Sequence, residues 1–399
     1  MAGGSFRARH ESNLQRSPAW GFALCGSVAF EGAVVTTYGQ ISSLQLYQLC
    51  GALGLADRAH EYQAVQAFLM ESWQAREVPQ LAPYPSRIGD DHSPYEYSLQ
   101  FGQTSVELRL LLEAQATLPG LHANQVAAQA LNQRVAQRYG VDFSRFAQLQ
   151  NLFCPEDPHG PFSLWHAVCF DAAGQPDFKI YLNPQVHAGT SGRDLTTEAV
   201  SRLGLSGVAT PIIERVVAAG GIPNYFSLDL AARLGSRVKL YFSHEDASLA
   251  DLESIFALAA SNRAGDVSRF CRAILGADTR LNRKPVCYCF SFVAGSDAPV
   301  AVTFHLPVAH YVASDALVLN NVSAFMAAEG LPVKAYQRAV RSLARRDLAG
   351  SLGLQSYASF RRERSGLKLT VYLSPELFAA PYAQFPFAEG SASRLGAGR

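Results

Sequence analysis

The chain has 399 residues, 48% of them hydrophobic and 17% charged, the balance of a water-soluble globular protein with a sizeable core. Its formal net charge of +1 excludes a global field that would draw it to nucleic acid or to an anionic membrane, so any positive potential must be local. Seven scattered cysteines argue against a disulfide framework, and the apolar run at residues 20–30, closed by Glu31, is too short to span a bilayer. With the polar start MAGGSFRARHESNLQRSP, these features point to a cytoplasmic protein.

Two helical stretches, 42–54 and 59–75, lead into the first of five β-hairpins, which begin at Tyr95, Phe162, Asn224, Val286 and Leu354. In the first hairpin Tyr95, Tyr97, Leu99 and Phe101 share one face and Glu96, Ser98 and Gln100 the other. Its return strand sets Val106, Leu108 and Leu110 against Glu107 and Arg109. A helix is expected over 125–139. The second hairpin returns as FKIYLNP, with Lys179, Tyr181 and Asn183 on the polar parity. After a helix over 195–219 the third returns as RVKLYFS, with Arg237, Lys239, Tyr241 and Ser243 on that parity. A helix over 249–275 leads to the fourth, where Cys287 and Cys289 read as small residues on one strand face and Thr303 and His305 take the polar side of VAVTFHLP. Helices over 311–329 and 333–349 precede the fifth, which returns as LKLTVYLSP with Lys368, Thr370 and Tyr372 on the polar face.

The repeating unit is helix, hairpin, helix, and such a unit needs its neighbours to bury a core. The expected fold is α+β, a ten-stranded antiparallel β-barrel of five αββα repeats with helices outside. One domain would span 1–399, with 1–18 and 386–399 as flexible ends. Two stacked sheets are the alternative. Closure removes every edge and turns the charged strand face into the lining of an interior chamber.

Five cations, Arg109, Lys179, Arg237, Lys239 and Lys368, would share that chamber. They repel one another, and a dense anion such as a diphosphate relieves the conflict. Tyr181, Tyr241 and Tyr372 stand in phase with the lysines and offer hydroxyls to phosphate and π-faces to a developing carbocation. Glu96 is the one carboxylate in the first strand's polar stripe, and reads either as a charge balancer or as an acceptor that orients an N–H or O–H of a second substrate. The Asp90-Asp91-His92 stretch reads as a turn, since no second acid follows at magnesium-binding spacing. No phosphate loop, dinucleotide fingerprint, nucleophile elbow or zinc-protease motif occurs.

The segments SPYEYSLQF, FKIYLNP, RVKLYFS and LTVYLSPE resemble those of aromatic prenyltransferases of the dimethylallyltryptophan synthase type, over residues 42–378 and with a bacterial layout. The resemblance implies the αββα barrel and dimethylallyl transfer from dimethylallyl diphosphate to an indole, with no obligatory cofactor and no requirement for Mg²⁺. It makes Glu96 the acceptor of the indole N–H, Arg109, Lys179, Arg237, Lys239 and Lys368 the diphosphate ligands, and Tyr181, Tyr241 and Tyr372 the cation shield. The partners are then a prenyl diphosphate and an aromatic small molecule, with no nucleic acid and no membrane, in a monomer or homodimer.

The chain departs from the family in three places. Thr303 and His305 stand where Gln or Lys followed by Tyr is usual, which puts prenyl length in question and assigns both to the acceptor side. Asn224 falls near the position of an arginine that binds the carboxylate of free tryptophan. The proton-accepting lysine of the second hairpin falls at Trp165 or His166: parity turns Trp165 inward as an aromatic wall, while His166 is chemically the better base. The competing functions are transfer to a phenolic acceptor, use of geranyl diphosphate, and a non-catalytic barrel that binds an anionic lipid or metabolite.

Overall fold

The computed structural model describes residues 36–379 apart from 171–174, 232–234, 277–279 and 364–365. The ends expected to be flexible, 1–18 and 386–399, lie outside the described residues. Ten strands occur in the described part: β1 (Tyr95–Phe101), β2 (Val106–Leu112), β3 (Leu164–Phe170), β4 (Asp177–Leu182), β5 (Ile222–Asp229), β6 (Val238–His244), β7 (Val286–Phe292), β8 (Ala301–Leu306), β9 (Gln355–Glu363) and β10 (Gly366–Leu373). Each pairs antiparallel with its sequence neighbours, and β1 also pairs with β10, so the sheet closes and two stacked sheets are excluded.

A walk around the ladders shows what closure does to side-chain parity. Ser98 faces Arg109, Arg109 faces Cys169, Lys179 faces Asp229, Tyr225 faces Tyr241, and Tyr241 faces Cys289. The circuit continues from Cys289 to Thr303, from Thr303 to Arg361, from Arg361 to Lys368, and back from Tyr372 to Ser98. Inward residues meet inward residues at these steps because a side-chain period of two carries one face from strand to strand, with register shifts at Pro223/Tyr225 and Tyr372/Leu373. The other parity, Tyr97, Leu99, Leu108, Leu110, Ile180, Leu240, Phe290, Phe304 and Leu369 among it, is buried under helices.

Those helices are α1 (Tyr38–Leu53), α2 (Ala59–Leu69), α3 (Leu121–Tyr139), the single turns α4 (Ser144–Ala147) and α5 (Gln150–Phe153), α6 (Gly192–Arg202), α7 (Ser206–Ala218), α8 (Leu249–Phe256), α9 (Asp266–Leu275), α10 (Asp315–Ala328) and α11 (Val333–Leu343). Thr37 opens α1 with a capping box to Gln40, and Gly54, at φ 78°, closes it in the left-handed region where a side chain would be strained. Two expected helices are each two. The stretch 195–219 breaks at Gly204 (φ 69°). The stretch 249–275 breaks before Gly265 (φ 83°), where the Glu253 carboxylate accepts hydrogen bonds from the backbone N–H groups of Gly265 (2.9 Å) and Ser268 (2.8 Å).

Candidate active site

The odd-numbered strands end and the even-numbered strands begin at one end of the barrel, here called the turn end, and the starts of the even-numbered return strands bring the cations there. Arg109 is paired along its own strand with Glu107, at 2.6 Å through Nη2. Burial would raise the Glu107 carboxyl, but Arg109 beside it holds it down at about 2. Asp229, at the end of β5, takes Lys179 at 3.0 Å on one oxygen and Arg237 at 2.7 Å on the other. Those two cations outweigh its burial and hold it well below the usual carboxylate range. Lys368 donates to the Ser105 hydroxyl (2.8 Å), and Arg361 of β9 pairs with Glu363 (2.6 Å).

Lys239 differs from these. It is buried, makes neither hydrogen bond nor ion pair with the described residues, and is pushed down to about 7 by burial and then by Arg237. Six cations and three carboxylates (Glu107, Glu363 and Asp177) line the turn end, and Asp229 behind Lys179 and Arg237 makes a fourth carboxylate, which leaves a formal excess of two positive charges among the described residues. Of the expected collar of five cations, Arg109, Lys179 and Arg237 are already paired by acids, because unpaired buried charges cost several kcal/mol each.

One layer deeper lies an aromatic belt. Tyr181 and Tyr241 lie 5.8 Å apart between ring centroids, as do Tyr225 and Tyr241, Tyr241 and His305, and His305 and Tyr372. Tyr357 closes on Tyr372 at 6.2 Å, and Trp165 on Tyr225 at 5.5 Å. Trp165 faces inward opposite Tyr181 and stacks on Phe162. His166 takes the other parity: it is paired across the ladder with Ile180, and its Nε2 lies 2.7 Å from Asn132 Oδ1 on α3. Burial drives it down to about 3, outside the chamber. The expectation of a base at His166 fails because β3 is buried on both sides and the histidine's polar partner is on the outer one.

Glu96 lies deeper still, lining the same chamber as Lys239, Tyr181, His305 and Tyr372. A bulge in β9 between Tyr357 and Gln355 turns Ser356 toward it, and the Ser356 hydroxyl donates to Glu96 Oε2 at 2.8 Å. Burial pushes Glu96 up to about 8 despite that hydrogen bond. Beyond it Glu113 is also buried, pushed up to about 7 by burial, with Oε2 unpartnered among the described residues. Asn224 sits in the β5 bulge between Pro223 and Tyr225, its Oδ1 likewise unpartnered among those residues. Asp90, in the expected turn, pairs with Lys284 (2.6 Å) and His310 (3.0 Å), and the Lys284 ammonium lies 5.1 Å from the centre of the Tyr357 ring. Among the described residues no group of three or more His, Cys, Asp or Glu side chains is arranged to hold a metal ion, and no helix is long and apolar enough to cross a membrane.

All the sequence-predicted site residues except His166 meet in this chamber or its mouth. Sequence reasoning missed Asp229, Arg361, Glu363, Tyr225, Tyr357 and Glu113. Tyr357, Ser359, Arg361 and Glu363 do alternate in β9, so a sequence signal for them exists there.

Residues 60–339 match the family model described as tryptophan dimethylallyltransferase. The chain is similar to the crystal structure of 6-dimethylallyltryptophan synthase from Micromonospora olivasterospora in complex with DMASPP and Trp, at 28% identity and a TM-score of 0.81, covering 86% of this chain and 99% of that one. It is also similar to 5-dimethylallyltryptophan synthase from Streptomyces coelicolor, at 26% identity and a TM-score of 0.78, covering 86% and 99%. A third likeness, at 24% identity over 81% of this chain and 88% of the relative, is to prenyltransferase iacE from Pestalotiopsis fici.

Proposed function

The chain belongs to the tryptophan dimethylallyltransferase family, and on that premise we propose how its chamber divides the labour of the reaction. The enzyme transfers a dimethylallyl group from dimethylallyl diphosphate to an indole ring. The observation that carries the assignment of roles is the chamber's polarity: a cationic mouth with Lys239 unpaired, then a belt of tyrosines, then the buried Glu96.

The diphosphate binds at the mouth, where Arg109, Lys179, Arg237, Lys239, Arg361 and Lys368 surround it. Its negative charge raises the proton affinity of Lys239 and keeps that side chain cationic. Heterolysis of the allylic C–O bond then leaves diphosphate in a field built for it, so the collar stabilises charge that appears in the transition state. Tyr181, Tyr241 and Tyr372 flank the allylic cation with π-faces and keep water from it. The indole, its N–H donated to Glu96, presents its ring to the cation. Positive charge arriving in the chamber favours the ionised carboxylate, which draws electron density through the N–H into the ring. Side chains neutralise the diphosphate, so Mg²⁺ is not required. The chain, residues 1–399, works as one catalytic domain that acts in the cytoplasm.

The test is a mass-spectrometric product screen. It pairs dimethylallyl and geranyl diphosphate with tryptophan, tyrosine, tryptophan-containing cyclic dipeptides and simple indoles, each in EDTA and in Mg²⁺. The expected result is a dimethylallyl mass shift on an indole acceptor that survives EDTA. Transfer only to a phenol, or only with the metal, would overturn the corresponding part of the reading.

A further inference from the structure

Prenylation of an aromatic ring leaves an arenium ion whose ring proton must go to a base, and His166 lies on the wrong side of β3 to take it. Inside the chamber Glu96 is committed to the N–H, Lys239 is held cationic once diphosphate is bound, and the tyrosines are kept protonated by burial. His305 remains. It stands on the inner face of β8, across the ladders from Cys287 and Ser359, within the aromatic belt itself. Its Nδ1 lies 3.2 Å from the Tyr372 hydroxyl oxygen, while its Nε2 is buried without a hydrogen-bond partner among the described residues. A buried polar atom left unpaired is costly, and one persisting in a ligand chamber marks a place where the ligand completes the site.

We propose that His305 is the base that removes the ring proton of the arenium intermediate. This rests on the prenyl transfer described above. Nδ1–H donates to the Tyr372 oxygen, which fixes the tautomer and leaves the Nε2 lone pair facing the chamber. The C–H bond at the newly prenylated ring carbon breaks, its electron pair restores the aromatic system, and the proton forms the Nε2–H bond of an imidazolium. The released diphosphate, held a layer away, offsets the new charge and carries the proton out as it leaves. Burial, followed by Lys239, Arg361 and Arg109, pushes the resting imidazole down to about 3, so it is neutral and ready when substrates arrive. An arenium ion is acidic enough to protonate even so weak a base.

The experiment compares the unaltered enzyme with His305→Phe, which keeps a ring but removes both nitrogens, and His305→Gln, which keeps a polar group, using tryptophan with a protiated or a fully deuterated indole ring. With proton removal fast in the unaltered enzyme, the ratio of rates is expected near unity. In both variants kcat should fall about a hundredfold or more and a clear primary isotope effect should emerge, while binding of inorganic diphosphate stays as it was. An isotope ratio the same in all three proteins would overturn the assignment. A raised KM for dimethylallyl diphosphate without an isotope effect would also overturn it, making Nε2–H a diphosphate ligand. A melting curve on each variant separates these outcomes from misfolding, and His305→Gln keeps the test open should His305→Phe fail to fold. No prenyl product with the unaltered enzyme would overturn the proposed function and this inference together.

Discussion

The two ends of the barrel handle buried charge in opposite ways. At the hairpin-turn end cations are brought in numbers and all but Lys239 are met by a carboxylate or a hydroxyl, as Lys179 and Arg237 are by Asp229. At the helix-linked end the acids Glu96 and Glu113 are buried with hydroxyl or indole neighbours and no salt bridge among the described residues, and their proton affinity climbs instead. An end that must accept and release a multiply charged anion has to be stable both empty and full, so its cations carry resident counter-ions and keep a small positive excess. An end that takes a neutral ring needs a hydrogen-bond acceptor, and a carboxyl held at the edge of ionisation supplies one without a standing charge. This division can be broken from either side.

The largest effect is expected at Asp229. Asp229→Ala leaves Lys179 and Arg237 facing each other without their shared carboxylate, at a cost of about 3–5 kcal/mol in denaturant unfolding. Inorganic diphosphate should restore part of the lost Tm, since it binds only the folded state; a variant as stable as the parent would break the description of the mouth. Next comes Glu96→Gln, which should lower turnover by about two orders of magnitude or more and leave diphosphate affinity unchanged. An unaltered rate would remove Glu96 from the reaction. Smaller losses, about tenfold to a hundredfold in diphosphate affinity, are expected from Lys179→Ala and Lys239→Ala, in line with hydrogen bonds to charged groups; titration calorimetry with tryptophan should show the acceptor site intact.

The smallest step is a slope. Burial raises Glu96 from 4.5 to about 8, so across that window the folded protein keeps a proton that the unfolded chain releases. Its stability therefore falls as pH rises, by at most about 1.4 kcal/mol per pH unit. Glu96→Gln lacks that slope and should gain on the unaltered protein from pH 5 to 8. Parallel melting curves for the two would mean that Glu96 is hydrated in the empty chamber.

How much of this could be read from the chain alone followed from how many faces of a strand are buried. The return strands β4, β6, β8 and β10 alternate Lys, Arg, Tyr and Thr with aliphatic residues, so their inner face is legible and with it most of the cationic collar and the tyrosines. β3 carries no such contrast. All seven of its residues are buried, its inward positions include Ala167 and Cys169, and its one polar side chain, His166, points out to Asn132. Composition therefore pointed at the wrong residue while parity pointed at Trp165. Asp229 was invisible for another reason: its meaning depends on Lys179 of β4 and on Arg237, just before β6, brought to it by register, and register across a barrel is not a property of any single segment. His305 was legible as an inward residue, but its unpartnered nitrogen was not.

The most direct test of the two-ended chamber is a double dissociation by titration calorimetry, measuring inorganic diphosphate and tryptophan separately against the unaltered enzyme, Lys239→Ala and Glu96→Gln. Two ends with separate duties predict that Lys239→Ala weakens diphosphate and spares tryptophan, while Glu96→Gln weakens tryptophan and spares diphosphate. Both variants losing both ligands to the same degree would contradict it.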